Sequence, residues 1–379
     1  MKICMVFSLP FPPKEGIGNY IYFLSKKLLK KGYNVVVITR GSWRKTEREI
    51  IDEIEVIRAP FQPIYPFYLQ LHEMYVRKIF QLLEPEIDLV HFHSPLPPFI
   101  RTERPIVTTI HTPMLTDYRI EKLTSIHSIF SKISARFISY PLEKKLLGSS
   151  KIIMTLTNTI VQELKEEYSL DSNKVFVVGN GVDTDFFLPG KQESDDNQRY
   201  ILFAGWIEYR KGIFDLLESA KDICAKRSDV TFLLAGQGSQ FNTLKQKIIT
   251  SGLQDRFLLL GQVKKEKLLK LYQKATLFVF PSYHEGLPTV LLEAMSCGVP
   301  IIATDVRGNR DVITKDKNGI LVPPGNPQKL AEAISFLLDN ETLRKTFSRN
   351  GRQLIEENFT WDKISEKVIQ CYQQALEMR

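Results

Sequence analysis

Two glutamates, Glu285 and Glu293, bracket the stretch "EGLPTVLLE". Before them, "TLFVFPS" reads as a buried strand; after Pro288, "TVLLEAMSC" reads as a short apolar helix that stops at Gly298, with Pro300 beyond. Pro288 suits the first turn of that helix, because its missing N–H would have no intrahelical partner. A helix start carries free N–H groups and partial positive charge, and so prefers an anion such as phosphate. Carboxylates held near such an anion need other partners, and sugar hydroxyls are suitable donors. Glu285 precedes the helix, and Glu293 lies roughly 7 Å along it from Pro288. A nucleotide-diphosphate sugar, with hydroxyls on both sides of its diphosphate, matches that spacing. A bare pair of acids would instead read as a solvated turn residue and a capping or ion-pairing residue; the strand–turn–helix setting favours a ligand.

Other residues could share this chemistry. Lys211 sits in "AGWIEYRKG", a glycine-bounded turn after a buried strand, with Arg210 beside it. "KEGIGNYI" offers Gly16 and Gly18 for a close backbone approach to an anion. A dinucleotide fingerprint is incomplete there: Ile21 stands where the third glycine belongs, and the next strand ends in Thr39-Arg40 rather than an acid. "HFH" puts His91 and His93 on one strand face, and His111 ends a neighbouring strand. These read as strand-end or core histidines rather than a zinc set. "DTD" at 183 to 185 imitates a metal-binding pattern but lies in the turn "NGVDTDFF". No metal is expected.

The elements that must position these groups are legible as apolar runs. "ICMVFS", "NVVVIT", "IEVIRA", "DLVHFH", "PIVTTIH" and "KIIMTLT" alternate with helical patterns, and "YILFAG", "VTFLLAG", "RFLLLG", "TLFVFPS", "PIIATD" and "NGILVPP" repeat the style. Continuous apolar strands between helices imply parallel strands buried on both faces. The expected fold is therefore α/β, with two doubly wound parallel sheets in series. A polar stretch over residues 187 to 200 marks the linker, and the tail from Phe359 reads as an amphipathic helix.

A length of 379 residues suits two such domains. The net charge of +8, spread without a basic block, favours anionic ligands or a negatively charged membrane surface. No nucleic-acid-binding signature accompanies it. The four cysteines are scattered, which suits reduced thiols in the cytoplasm. No signal peptide or membrane span is legible.

Beyond these readings, the stretch from Glu285 to Glu293 resembles the E-x7-E motif of retaining GT-B glycosyltransferases of family 4. "PPKEGIGNYIYFLSKKLLKKGYNVVVIT", "VVGNGVDTDFFLP", "AGWIEYRKG", "LLAGQGS", "GQVKKEKLLKLYQKATLFVFPS" and "GVPIIATDVRGNRDVI" resemble further family segments in the family's order. Trp361 and the last helix resemble the segment that crosses back to the N-terminal domain. The resemblance implies two Rossmann-like domains facing across a cleft. Residues 1–188 plus 361–379 would be acceptor-side, and 189–360 would bind the nucleotide sugar. It implies transfer of a hexosyl unit to a hydroxyl of a glycan or lipid-linked acceptor, with no cofactor beyond the donor substrate. Glu285 would contact the donor sugar and Glu293 the ribose. Lys211 would bind the diphosphate, helped by backbone amides from Leu287 through Thr289 to Val290 and by the loop of Gly16 and Gly18. His111 falls where the family has a donor-sugar contact. One position departs: Trp206 stands in place of the family's arginine, with Arg210 as the nearby substitute. The basic, apolar stretch from Tyr118 to Leu147 suggests either packing on the first sheet or contact with a lipid-linked acceptor or the inner membrane face. Another GT-B enzyme, an epimerase or phosphorylase, and an inactive sugar-nucleotide-binding protein are the alternatives.

Overall fold

The computed structural model describes residues 1–11, 16–64, 68–95, 97–114, 139–168, 170–190 and 198–378. Most of the Tyr118–Leu147 stretch, and the middle of the expected linker, lie outside these residues. The chain divides into two compact units, Met1–Gly181 with Trp361–Arg379, and Val182–Thr360.

In the first unit, β1 (Lys2–Val6) leads through α1 (Ile17–Lys30) to β2 (Asn34–Arg40), β3 (Glu47–Ile51) and β4 (Ile54–Ala59). Next come α2 (Tyr68–Leu83), β5 (Leu89–Ser94), β6 (Ile106–Ile110), α3 (Tyr140–Ser149), β7 (Ile152–Thr155), α4 (Asn158–Tyr168) and β8 (Val175–Val177). The sheet order is β3-β4-β2-β1-β5-β6-β7-β8. Every pairing is parallel except β3 with β4. β5 and β6 are buried along their whole length, as strands covered on both faces must be, although His91, His93, Ser94, Thr108 and Thr109 interrupt their apolar residues. On one face Cys4, Val6, Val36, Ile38 and Phe92 pack on Val76, Ile79 and Phe80 of α2.

The second unit holds β9 (Arg199–Ala204), α5 (Ile213–Lys226), β10 (Val230–Ala235), α6 (Phe241–Thr250), β11 (Phe257–Gly261), α7 (Lys265–Lys274) and β12 (Leu277–Phe280). It continues through α8 (Thr289–Ser296), β13 (Ile301–Thr304), the single turn α9 (Arg307–Arg310), β14 (Gly319–Val322), α10 (Pro327–Asp339) and α11 (Glu341–Asn358). Its sheet is wholly parallel, in the order β11-β10-β9-β12-β13-β14. The chain winds outward from β9 in one direction, then returns to build the other half from β12. The order reverses between β9 and β12, and in such sheets ligands bind outside the carboxyl ends of the strands at that switch point.

The last helix, α12 (Trp361–Glu377), belongs to the first unit. Trp361 stacks on Phe23 at 5.4 Å, and Lys27 pairs with Asp362 at 2.7 Å. Gly181 lies flat against the Trp361 ring, where a Cβ would collide with the indole.

Candidate active site

The loops after β9 and β12 meet at the switch point of the second unit. After β9 the chain makes one tight turn, Tyr209–Lys211, closed by Gly212 at φ 67°, ψ 23°. This left-handed conformation suits glycine, and a Cβ there would also collide with the carbonyl of Pro281. The Tyr283 N–H donates to the Arg210 carbonyl at 2.8 Å, joining the two loops. On the far side of the β12 loop, Gly308 lies against the carbonyls of Glu285 and Gly286, again with no room for a Cβ.

That framework brings Lys211 Nζ to 2.6 Å from Glu285 Oε1, with the two side chains only 10 % and 8 % exposed. The ammonium also lies 5.2 Å from the centroid of the Phe280 ring, within cation–π range. A buried ion pair adds little net stability, but removing one partner strands the other charge. The arrangement therefore reads as a charged site held in position rather than as a fold-stabilising contact.

Four residues beyond Glu285, α8 begins at Thr289. Pro288 stands one position outside the helix, as its N-cap, rather than within the first turn; its ψ of 112° is extended. No side chain caps the helix start. The amides of Thr289 and Val290 thus open the helix without a capping oxygen, and Leu287 precedes them, buried. At the other end Gly298 adopts φ 72°, and the Val299 N–H donates back to the Ala294 carbonyl at 2.9 Å. Glu293, one turn into α8, accepts a hydrogen bond from the Tyr272 hydroxyl at 3.0 Å. By surface exposure Glu293 is partly buried. Burial pushes its pKa up to about 7, against the opposing pull of the Tyr272 hydroxyl and the Lys265 charge.

Arg210 is not brought into this group. Its guanidinium donates to Glu208 at 3.1 Å and is about half exposed. Trp206 is 43 % exposed. Asp183 of the "DTD" segment serves its own turn, accepting from the Phe186 N–H at 3.2 Å, and pairs with Lys265 at 3.6 Å.

The remaining expected residues lie in the first unit. Gly16 precedes α1 at φ 62°, ψ −131°, a conformation for glycine, and Gly18 is buried in the first turn. His111 follows β6 directly and is buried. Its Nε2 lies 3.3 Å from His93 Nδ1. His91 has both nitrogens committed, Nδ1 to the Tyr372 hydroxyl and Nε2 to Thr109 Oγ1, each at 2.7 Å. Such full engagement makes His91 a core residue. Burial pushes His91 and His111 down to about 3, and His93 well below its ordinary value. All three rings are therefore neutral near pH 7, and His111 can exchange hydrogen bonds but supplies no cationic charge.

Sequence reasoning did not anticipate Phe280 or Tyr272 as partners of the site residues. For Phe280 a signal existed, since it closes the strand that leads into the Glu285 loop. Tyr272 reaches Glu293 from another helix, and nothing local to either residue points to the other.

Two families match adjoining parts of the chain, together covering residues 14–354. Residues 14–186 match the family described as Glycosyltransferase Family 4, and residues 184–354 match Glycosyl transferases group 1. A D-inositol 3-phosphate glycosyltransferase of Xylanimonas cellulosilytica is 26% identical over 96% of this chain and 93% of its own length. Among solved structures, sucrose-phosphate synthase from Thermosynechococcus elongatus superposes with a TM-score of 0.81 at 21% identity, covering 98% of each chain. HepE of Anabaena, solved in complex with UDP and glucose, superposes with a TM-score of 0.74 at 18% identity over 98% of this chain and 99% of its own.

Proposed function

Because the chain belongs to the family 4 glycosyltransferases and has the GT-B fold, we propose that it moves a hexosyl unit from a nucleotide-diphosphate sugar to a hydroxyl acceptor, with retention at the anomeric carbon. The observation that carries this reading is the buried Lys211–Glu285 pair beside the uncapped start of α8, at the switch point of a doubly wound sheet. The unit Val182–Thr360 binds the donor, and the unit Met1–Gly181 with Trp361–Arg379 binds the acceptor. Lys211 and the amides of Thr289 and Val290 hold the diphosphate and stabilise the charge that grows on it as the bond to the sugar breaks, a preorganised electrostatic effect. Glu285 accepts from hydroxyls of the sugar, and Glu293 from the ribose. Gly16 and Gly18 let backbone approach the diphosphate, and His111 adds a neutral hydrogen-bonding contact to the sugar. The acceptor oxygen forms its bond to the anomeric carbon on the face that the phosphate leaves. The acceptor's proton passes to the departing phosphate oxygen.

Two relatives support the finer points. HepE was solved with UDP and glucose, which favours a nucleoside diphosphate and a hexose as donor parts. The D-inositol 3-phosphate glycosyltransferase acts, by its name, on a phosphorylated polyol, which favours a hydroxyl acceptor. Among the described residues, no helix is long and apolar enough to cross a membrane. A lipid-linked acceptor would be met at the membrane surface, and the basic, apolar stretch 118–147 suits either that contact or packing on the first sheet.

Incubation with UDP-, GDP- and ADP-hexoses and a panel of glycan and lipid-linked acceptors, read by anomeric proton NMR, tests the proposal. The expected product keeps the donor's anomeric configuration, and an inverted product contradicts the proposed course. A second reading has one observation in its favour: Trp206 supplies no charge at the arginine's position, and Arg210 is turned to Glu208. It describes a sugar-nucleotide binder without turnover, and donor binding with no transfer across the whole acceptor panel would establish it.

A further inference from the structure

We infer that Lys211 and Glu285 form an exchange pair that makes the donor site recognise sugar and diphosphate jointly, and that penalises a nucleoside diphosphate arriving alone. The inference rests on the donor-site reading above. In the structure each residue is the other's counter-charge, at 2.6 Å and in buried surroundings. A diphosphate that engages Lys211 competes directly with Glu285 for the same ammonium. The carboxylate is then left buried next to a second anion, which is strongly unfavourable unless something donates hydrogen bonds to it. Hydroxyls of the attached sugar are such donors. A nucleoside diphosphate has none at that end.

Four features confine the exchange to side-chain rotation. Gly212 against Pro281 and the Tyr283 N–H on the Arg210 carbonyl fix the Lys211 turn. Gly308 against the carbonyls of Glu285 and Gly286 fixes the other loop. The Phe280 ring, 5.2 Å from Nζ, holds the ammonium on its remaining side when the carboxylate turns away. Arg210 is bonded to Glu208 at 3.1 Å and faces solvent. Trp206, in the place of the family's arginine, is neutral.

Calorimetric titration of the full chain with UDP, GDP and ADP, and with their glucose esters, tests this. The base that binds is carried into the comparison. In Glu285→Gln the nucleoside diphosphate is expected to bind tighter by about tenfold or more, since a buried repulsive charge is gone. The preference for the glucose ester over the bare diphosphate should shrink by at least the same factor. An unchanged preference, or equal weakening of both ligands, overturns the inference while leaving donor binding itself established. If Glu285→Gln fails to fold, the native chain still decides. The nucleoside diphosphate and free glucose should raise each other's affinity by one common factor, as linkage requires. Independent binding of the two overturns the inference. No binding of any ester to the native chain overturns the donor-site reading and this inference with it.

Discussion

Glu293 shows how one partly buried carboxyl can make the stability of its unit depend on pH. Its pKa is raised by burial from an ordinary value of 4.5 to about 7 in the folded chain. Between those values the folded state binds more protons than the unfolded one. The folded state is thus favoured most below pH 4.5 and is progressively destabilised as pH rises through 7. Above pH 8 the ionised carboxyl costs roughly 3 kcal/mol relative to its protonated form. Glu293→Gln should therefore stabilise the chain above pH 8 by an amount of that order, and change little near pH 4.5. Denaturant unfolding at the two pH values measures the difference. A histidine effect of opposite sign belongs to the first unit. His91 and His111 are held near 3 by burial, far below the ordinary 6.5. Their unfolded forms take up protons first as pH falls. Each should withdraw about 2 kcal/mol of stability between neutrality and pH 5. A His91→Gln variant, which keeps a hydrogen-bonding side chain without the titration, should unfold less readily on acidification, read by circular dichroism against pH.

At the scale of elements, the loops after β9 and β12 create the site, and glycines permit their contact. Gly212→Ala adds a Cβ at a positive φ and drives it into the Pro281 carbonyl. The expected cost is about 2–4 kcal/mol in chemical unfolding, combining backbone strain with displacement of the neighbouring loop. Most of these elements were legible in the sequence. β2, β9, β10 and β12 are mostly apolar runs, the trace that a strand buried on both faces leaves, and β5 is equally buried although His91, His93 and Ser94 interrupt its apolar residues. β3 and β8 were not foreseen. The first is almost wholly exposed and antiparallel, so it carries no pattern of inward-facing apolar residues; the second is apolar but only three residues long and partly exposed, too short a run to stand out as a strand. The site was legible as residue types in suitable turns, which is how Lys211, Glu285 and Glu293 could be singled out. Their pairing was not. Lys211 and Glu285 are 74 residues apart, and only the sheet order that sets β9 beside β12 brings them together.

At the scale of the whole molecule, the proposed function assigns the donor chemistry to the second Rossmann-like unit, Val182–Thr360. A ligand that binds only the folded chain stabilises it by RT ln(1 + [L]/Kd), about 2.7 kcal/mol at a hundredfold excess over Kd. Thermal unfolding of the full chain with saturating UDP-, GDP- and ADP-hexoses is therefore the most direct measurement. At least one of these donors should raise the midpoint by several degrees, and the same donor should lose most of that effect in Lys211→Met relative to the variant's own midpoint. A native chain whose midpoint no nucleotide-diphosphate hexose moves, or a Lys211→Met variant that keeps the full shift, would contradict the account.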